Sequence, residues 1–104
     1  MLTANLFGGE NTITTTADGG ESVLAADVDG DGDIDVISAS SNDDTIAWYE
    51  NDGNESFTPH NITTDADRVY SIFSADVDGD GDIDVLSALV NANTIAWFEN
   101  DDSQ

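Results

Sequence analysis

The chain has 104 residues and a formal net charge of −22, because it contains 23 Asp and Glu residues and only one Lys or Arg residue, Arg68. Nucleic acids and anionic membrane surfaces are poor partners for such a chain, since both are bound through clustered Lys and Arg. The length fits one domain, and the absence of Cys excludes disulfides and thiolate metal sites. Cations are the partners that this composition favours.

The chain contains two copies of one unit. When the sequence is shifted by 49 positions, residues 12–51 align with residues 61–100, and 26 of the 40 aligned pairs are identical. A repeat period of roughly 20–50 residues indicates a solenoid, a propeller or a similar array.

Short strands separated by turn signals are predicted along the whole chain. No stretch keeps a helical spacing of apolar residues over three turns, so we expect an all-β fold. The predicted strands, in chain order, are 11–18, 22–28, 33–40, 44–51, 57–64, 69–77, 82–90 and 93–100.

The strand pattern predicts β-propeller blades of four antiparallel strands each, because four short strands fall within each repeat. Residues 1–104 are then a single two-blade unit, with blade one at 22–64 and blade two, which lacks its outer strand, at 69–100. Residues 11–18 are a spare outer strand, which we expect to complete the last blade of a neighbouring chain.

Two blades are too few to close a ring. The predicted partner is therefore the chain itself, in a closed homo-oligomer whose interfaces run head to tail. Such a ring has an even number of blades, and six or eight are favoured.

The segment DVDGDGDIDV lies between the first and second strands of both units. Calcium takes six to eight oxygen ligands, and alternate Asp residues on a tightly turning loop can supply them. Gly32 and Gly81 are expected to permit the turn. The predicted ligands are the side chains of Asp27, Asp29, Asp31 and Asp35 with the backbone carbonyl of Asp33, and likewise Asp76, Asp78, Asp80 and Asp84 with the carbonyl of Asp82. We expect one calcium ion per loop and two per chain.

Other interpretations of the loop fit less well. An EF-hand needs flanking helices and a Glu at the twelfth position, where the two copies have Ser38 and Ser87. Magnesium prefers a strict octahedron with several retained waters. The remaining alternative is an Asp- and Gly-rich turn that is stabilised only by Asx hydrogen bonds. Two copies of the same four carboxylates exceed what a turn requires.

The loop, followed by an apolar strand and then TIAWYEN or TIAWFEN, resembles the FG-GAP/VCBS-type repeat over roughly residues 11–100. The resemblance implies a β-propeller with one calcium ion in the loop between the first two strands of each blade. It also implies an extracellular or cell-surface location, although this chain shows no signal peptide pattern. Roles in adhesion, recognition or carbohydrate binding are known in the family.

Two functional classes follow. We expect a non-enzymatic, calcium-binding propeller unit that self-assembles, whether natural, excised or engineered. The alternative is a lectin-like or adhesive propeller that binds a carbohydrate or protein ligand, with Trp48 or Trp97 stacking on a sugar instead of packing between blades. An enzyme is not expected, because the chain has no Lys and its one histidine, His60, has no evident catalytic partner.

Overall fold

A computed structural model describes residues 7–101, and within that range it contains seven β-strands and no helix. The strands are β1 (Gly20–Ala26), β2 (Asp35–Ser40), β3 (Thr45–Asn51), β4 (Phe57–Thr63), β5 (Val69–Ala75), β6 (Asp84–Leu89) and β7 (Thr94–Phe98). The predicted all-β fold is confirmed. Over the same range, no helix is long and apolar enough to cross a membrane.

The strands form two antiparallel meanders, as expected for two blade-like units. One sheet has the order β1-β2-β3-β4, and the other has the order β5-β6-β7. Within the described residues the second sheet has three strands, so β7 is its edge. Residues 11–18 form no strand within this single chain. A strand is defined by the ladder of hydrogen bonds to its neighbour, so the pairing of 11–18 with another copy stays a prediction.

The two sheets share one register. Ile37 of β2 is opposite Leu24 and Trp48, and both sheets carry a bulge near the start of their first strand. Strand β1 ends at Ala26, two residues earlier than predicted, because Asp27 turns the chain by accepting hydrogen bonds from the loop that follows. Equal register in both units follows from the 49-residue repeat.

The hydrophobic core lies between the two sheets. Its buried residues come from both units: Ile37, Ala39, Ile46 and Trp48 from the first, and Ala66, Val69, Ile72 and Val85 from the linker and the second. A sheet with one apolar face must bury that face against another element, so each blade supports the other.

The connections that lead into β1 and β5 are held in the same way. The carbonyl of Gly19 accepts the N–H of Ser41 at 2.9 Å, and the carbonyl of Arg68 accepts the N–H of Val90 at 3.1 Å. Both Gly19 and Arg68 have positive φ, at 73° and 52°. Arg68 therefore occupies a left-handed position that Gly19 adopts without a steric penalty.

We expect Ile37→Ala to lower the free energy of unfolding by about 2–5 kcal/mol, because Ile37 is fully buried between the blades and its truncation leaves a cavity. Ile34→Ala removes the same atoms from a side chain that is 55% exposed, and should change stability by less than about 0.5 kcal/mol. Urea unfolding followed by tryptophan fluorescence measures both. Equal losses in the two variants would contradict a core between the sheets.

Candidate metal centres

The loop between β1 and β2 is folded by its first aspartate. Asp27 Oδ1 accepts the backbone N–H of Gly30 at 3.0 Å, and Asp27 Oδ2 accepts that of Gly32 at 2.9 Å. Gly32 has a φ of 93°, in the left-handed region that glycine tolerates, as the sequence predicted.

The second loop repeats this geometry. Asp76 accepts the N–H groups of Gly79 and Gly81, each at 2.9 Å, and Gly81 has a φ of 94°. Each loop thus coils around the carboxylate that begins it.

The last aspartate of each loop is fully buried and joins three strands. Asp35 lies at the start of β2, where its Oδ2 accepts the N–H of Val28 at 2.9 Å and its Oδ1 accepts the N–H of Asn51 at 2.8 Å. Asp84 makes the corresponding bonds to Val77 and Asn100, both at 2.8 Å. Sequence reasoning assigned these two residues only to a metal. The structure adds a second role, because each carboxylate accepts backbone N–H groups at the end of, or two residues beyond, the first and third strands of its sheet.

The first loop brings four predicted ligands together. The side chains of Asp27, Asp29, Asp31 and Asp35 each offer a carboxylate oxygen, and these oxygens lie within 4.8 Å of one another. The Asp33 side chain lies outside the group and is directed to Gly53, where an added Cβ would lie 2.9 Å from Asp33 Oδ2. That placement is compatible with the predicted use of the Asp33 backbone carbonyl, which stays a prediction.

The second loop groups its acids differently. Among the described residues it forms two overlapping groups, Asp76 with Asp78 and Asp84, and Asp78 with Asp80 and Glu99. As in the first loop, the side chain of the penultimate acid, Asp82, belongs to neither group.

Sequence reasoning missed Glu99. Its counterpart in the first repeat, Glu50, pairs with His60 of β4, with Glu50 Oε1 at 3.0 Å from His60 Nε2. The second sheet has no such outer strand among the described residues, and Glu99 lies instead with the acids of the loop. The signal was available in the alignment, because Glu50 and Glu99 match while His60 aligns with Asn11.

Loss of hydration and neighbouring acids together change the acidity of Asp29. Partial burial, followed by hydrogen bonding with Asp31 and the nearby charges of Asp35 and Asp31, raises the pKa of Asp29 to about 7. In the second loop, the backbone N–H of Gly81 lowers the pKa of Asp76. The first loop therefore resists full ionisation in the absence of a cation.

Partial loss of hydration raises the pKa of Asp78 as well, and a hydrogen bond with Glu99 adds to the effect. The grouped ligands are hard oxygen donors in both loops, which suit calcium and, with more retained water, magnesium. The described groups contain neither Cys nor His, and such a set is unlike the N and S ligands of zinc.

His60 has structural contacts. Its ring stacks on the ring of Trp48, with centroids 4.6 Å apart and an interplanar angle of 24°. Trp48 is buried in the core between the blades, whereas its counterpart Trp97 is 45% exposed. The expectation that tryptophan packs between blades is thus met at Trp48.

The fold and the loops define the class of protein as an all-β repeat protein with acidic loops between the first two strands of each sheet. The comparison with protein families agrees, since the model for the FG-GAP-like repeat matches residues 27–87. This match covers more than half of the chain, and the chain belongs to the FG-GAP-like repeat family. A search of curated proteins gave no match.

Asp35→Asn should destabilise the protein by about 1–3 kcal/mol even in excess chelator, because an amide has one acceptor oxygen for the two backbone N–H groups that Asp35 serves. The matched control is Asp31→Asn, since Asp31 is exposed and an amide oxygen can still accept the N–H of Asp33. Urea unfolding in EDTA separates this role from metal binding. Unchanged stability of Asp35→Asn would refute the structural role.

The raised pKa of Asp29 predicts how the stability of the metal-free protein, in excess chelator, depends on pH. The folded state holds this proton more tightly than the unfolded chain, whose value is near 3.8, so stability falls as the pH rises from about 4 through about 7. The amide introduced by Asp29→Asn mimics the protonated carboxyl group at every pH. We expect the stability of this variant relative to wild type to increase over this window and to level off above it. Urea unfolding in EDTA at several pH values tests this, and a flat difference would contradict the raised pKa.

Proposed function

We propose that this chain is a calcium-binding, non-enzymatic β-propeller repeat unit that self-assembles into a closed ring. The observation that carries the proposal is the group of four carboxylates in the first loop, whose oxygens lie within 4.8 Å of one another. Two unit charges about 4 Å apart repel by roughly 4 kcal/mol at an effective dielectric constant of 20. A divalent cation turns this repulsion into attraction, and folding and metal binding are thereby linked.

One ion is proposed for each loop. The ligands in the first loop are the side chains of Asp27, Asp29, Asp31 and Asp35 with the carbonyl of Asp33, and those in the second are Asp76, Asp78, Asp80 and Asp84 with the carbonyl of Asp82. Calcium suits such a set better than magnesium, because many protein oxygens can coordinate it without a strict octahedral geometry. When bound, the ion supplies structural cross-linking between the first and second strands of a blade.

Asp35 and Asp84 prepare the loops for a cation. Each is fully buried and holds two backbone N–H groups, so its position is already set before a ligand arrives. The remaining acids extend from exposed loops, where they are ordered by backbone bonds such as that from Asp33 N–H to Asp31 Oδ1 at 2.9 Å. The first strand and the third strand are thus joined to the metal loop through one side chain.

The proposed partner is the chain itself, in a ring with an even number of blades, six or eight being favoured. The blade-like sheets support this, as does the open edge of the three-stranded sheet. The charge of −22 disfavours nucleic acid and anionic membranes as partners.

We place the protein outside the cell or at its surface, since repeats of this family are typical of extracellular and surface proteins. Calcium sites of extracellular modules work with dissociation constants of about 10⁻⁴–10⁻³ M, and a stabilising ion of that affinity would be bound there.

Calorimetric titration of the chelator-treated protein should show two calcium ions per chain. Asp29→Asn and Asp78→Asn should each lose one site or weaken it by at least about tenfold. Asp29→Asn removes a carboxylate from the acidic group of the first loop, and Asp78→Asn removes one that both groups of the second loop share. The double variant should bind neither ion. Calcium should also raise the melting temperature, by the equivalent of about 2.7 kcal/mol for each bound ion at a hundred times the dissociation constant.

The control is Asp43→Asn, which removes the same charge from an exposed position outside the acidic groups of the two loops and should keep two sites. Magnesium at equal concentration should raise the melting temperature less than calcium does. Undiminished binding of two ions by the double variant would disprove the assignment of these loops.

A further inference from the structure

Each blade has two faces, which we name by the residues they carry. The leading face of blade one carries Leu24, Ile37, Ile46 and Trp48, and it packs on the trailing face of blade two, which carries Val69, Ile72, Val85 and Phe98. This internal interface is the core of the protein. It shows how one blade of this sequence covers the next.

Among the described residues, no sheet packs on the leading face of blade two. It carries the repeat counterparts of the buried residues, namely Phe73, Leu86, Ile95 and Trp97. Ile46 has no exposed surface, whereas Ile95 is 78% exposed, and Phe73 is 69% exposed. A shallow depression of about 170 Å³ lies on this face, lined in part by Phe73, Leu86 and Ile95. An apolar face of this kind, beside the open edge of β7, marks an interaction surface.

The trailing face of blade one is the matching surface. Val23 and Val36 stand where blade two has Ile72 and Val85, and Tyr49 stands where it has Phe98. Val23 is 69% exposed. The chain therefore carries both halves of a second interface that resembles its internal one.

The segment before β1 is anchored to blade one by the same kind of contact that anchors the connection between β4 and β5. Asp18 Oδ1 accepts the side-chain amide of Asn42 at 3.2 Å, as Asp67 Oδ1 accepts that of Asn91 at 3.4 Å. The connection into β1 is thus fixed in the same way as the connection from β4 into β5.

Beyond this connection, Thr14 and Ala17 line a cleft with Tyr49 on the trailing face of blade one. In the internal interface, Ile62 of β4 lines one cavity with Phe98, the counterpart of Tyr49, and both pack against the core. Residues 11–17 therefore lie along blade one as the outer strand of a preceding blade would.

We propose that the leading face and the β7 edge of blade two bind the trailing face of blade one and residues 11–17 of a second copy. This inference rests on the proposed function, because it takes the propeller interface as the template for contact between subunits. Ile13 and its neighbours then pair with β7, as Ile62 and its neighbours pair with β3. The contact is heterologous, and it leaves a free leading face at one end and a free trailing face at the other until a ring closes.

One hydrogen bond is expected to change partner on assembly. Asn100 Nδ2 donates across the internal interface to the carbonyl of Val28 at 2.8 Å. Its counterpart Asn51 donates within its own blade, to the carbonyl of Ile34 at 2.9 Å. In the assembled ring Asn51 donates to Val77 of a second copy, the residue equivalent to Val28. Because Val77 follows the first acid of the second loop, an ion in that loop orders the acceptor and favours assembly.

Charge opposes this contact and apolar burial favours it. Each copy carries −22, so screening by salt should promote assembly instead of dissolving it. A contact held mainly by ion pairs would respond in the opposite direction.

The test is the molar mass of the full chain by light scattering, with calcium and moderate salt. Wild type should have the mass of two, three or four chains. Ile95→Asp places a charge on the leading face of blade two, and Val23→Asp places one on the trailing face of blade one. Each variant alone should be monomeric. Each should also fold, because both side chains are exposed in the single chain. Val90→Asp places the same charge at a position that is 54% exposed and outside both faces, and it should assemble as wild type does.

A mixture of the two broken variants provides a sharper test. The Ile95→Asp variant keeps an intact trailing face, and the Val23→Asp variant keeps an intact leading face. The mixture should therefore give a heterodimer that grows no further. Monomeric wild type, or a mixture that stays monomeric although wild type assembles, would overturn the inference. Calcium titration of the same samples tests the contact between subunits separately from the calcium sites. A monomer that binds two ions would contradict only the contact, and a ring that binds no calcium would contradict only the metal sites.

Discussion

Each blade depends on one buried carboxylate. Asp35 and Asp84 have no exposed surface, and each accepts part-buried hydrogen bonds from two backbone N–H groups. An isolated charge would be costly to bury, but charged hydrogen bonds from the ends of two other strands offset that cost. The same side chain stands at the base of the acidic loop, so the strand ends and the loop cannot be altered independently. The core between the sheets depends on the same carboxylates, because it requires each sheet to keep its register.

Sequence symmetry does not produce equal environments. Ile46 and Ile95 are identical in the repeat, yet the first is fully buried and the second is largely exposed, because only the first has a following blade in the chain. The difference between Tyr49 and its counterpart Phe98 likewise gives two matching serines unequal environments. Ser38 Oγ donates to the hydroxyl of Tyr49 at 3.3 Å, whereas the buried Ser87 Oγ has no hydrogen-bond partner among the described residues, since Phe98 replaces the tyrosine.

Two opposite influences act on the pKa values of the carboxyl groups in the acidic loops. Backbone N–H groups donate to the first carboxylate of each loop, and in the second loop these bonds lower the pKa of Asp76. Neighbouring acids and partial burial act in the other direction on Asp29. The loop geometry is thus formed by hydrogen bonds, while the charge that accumulates there favours a cation. Folding of the loop and binding of an ion share the same side chains.

The sequence by itself determined the all-β class, seven of the eight predicted strands, the two blade-like units and the acidic residues that group in the first loop, since strand alternation, turn residues and a 49-residue period are local features. Tertiary structure decided the second role of Asp35, the place of Glu99 beside Asp78 and Asp80, and which of the paired tryptophans is buried. Those properties depend on which blade lies next to a residue. Local pattern cannot supply that neighbour, because burial and hydrogen bonding arise between segments that are distant in the chain.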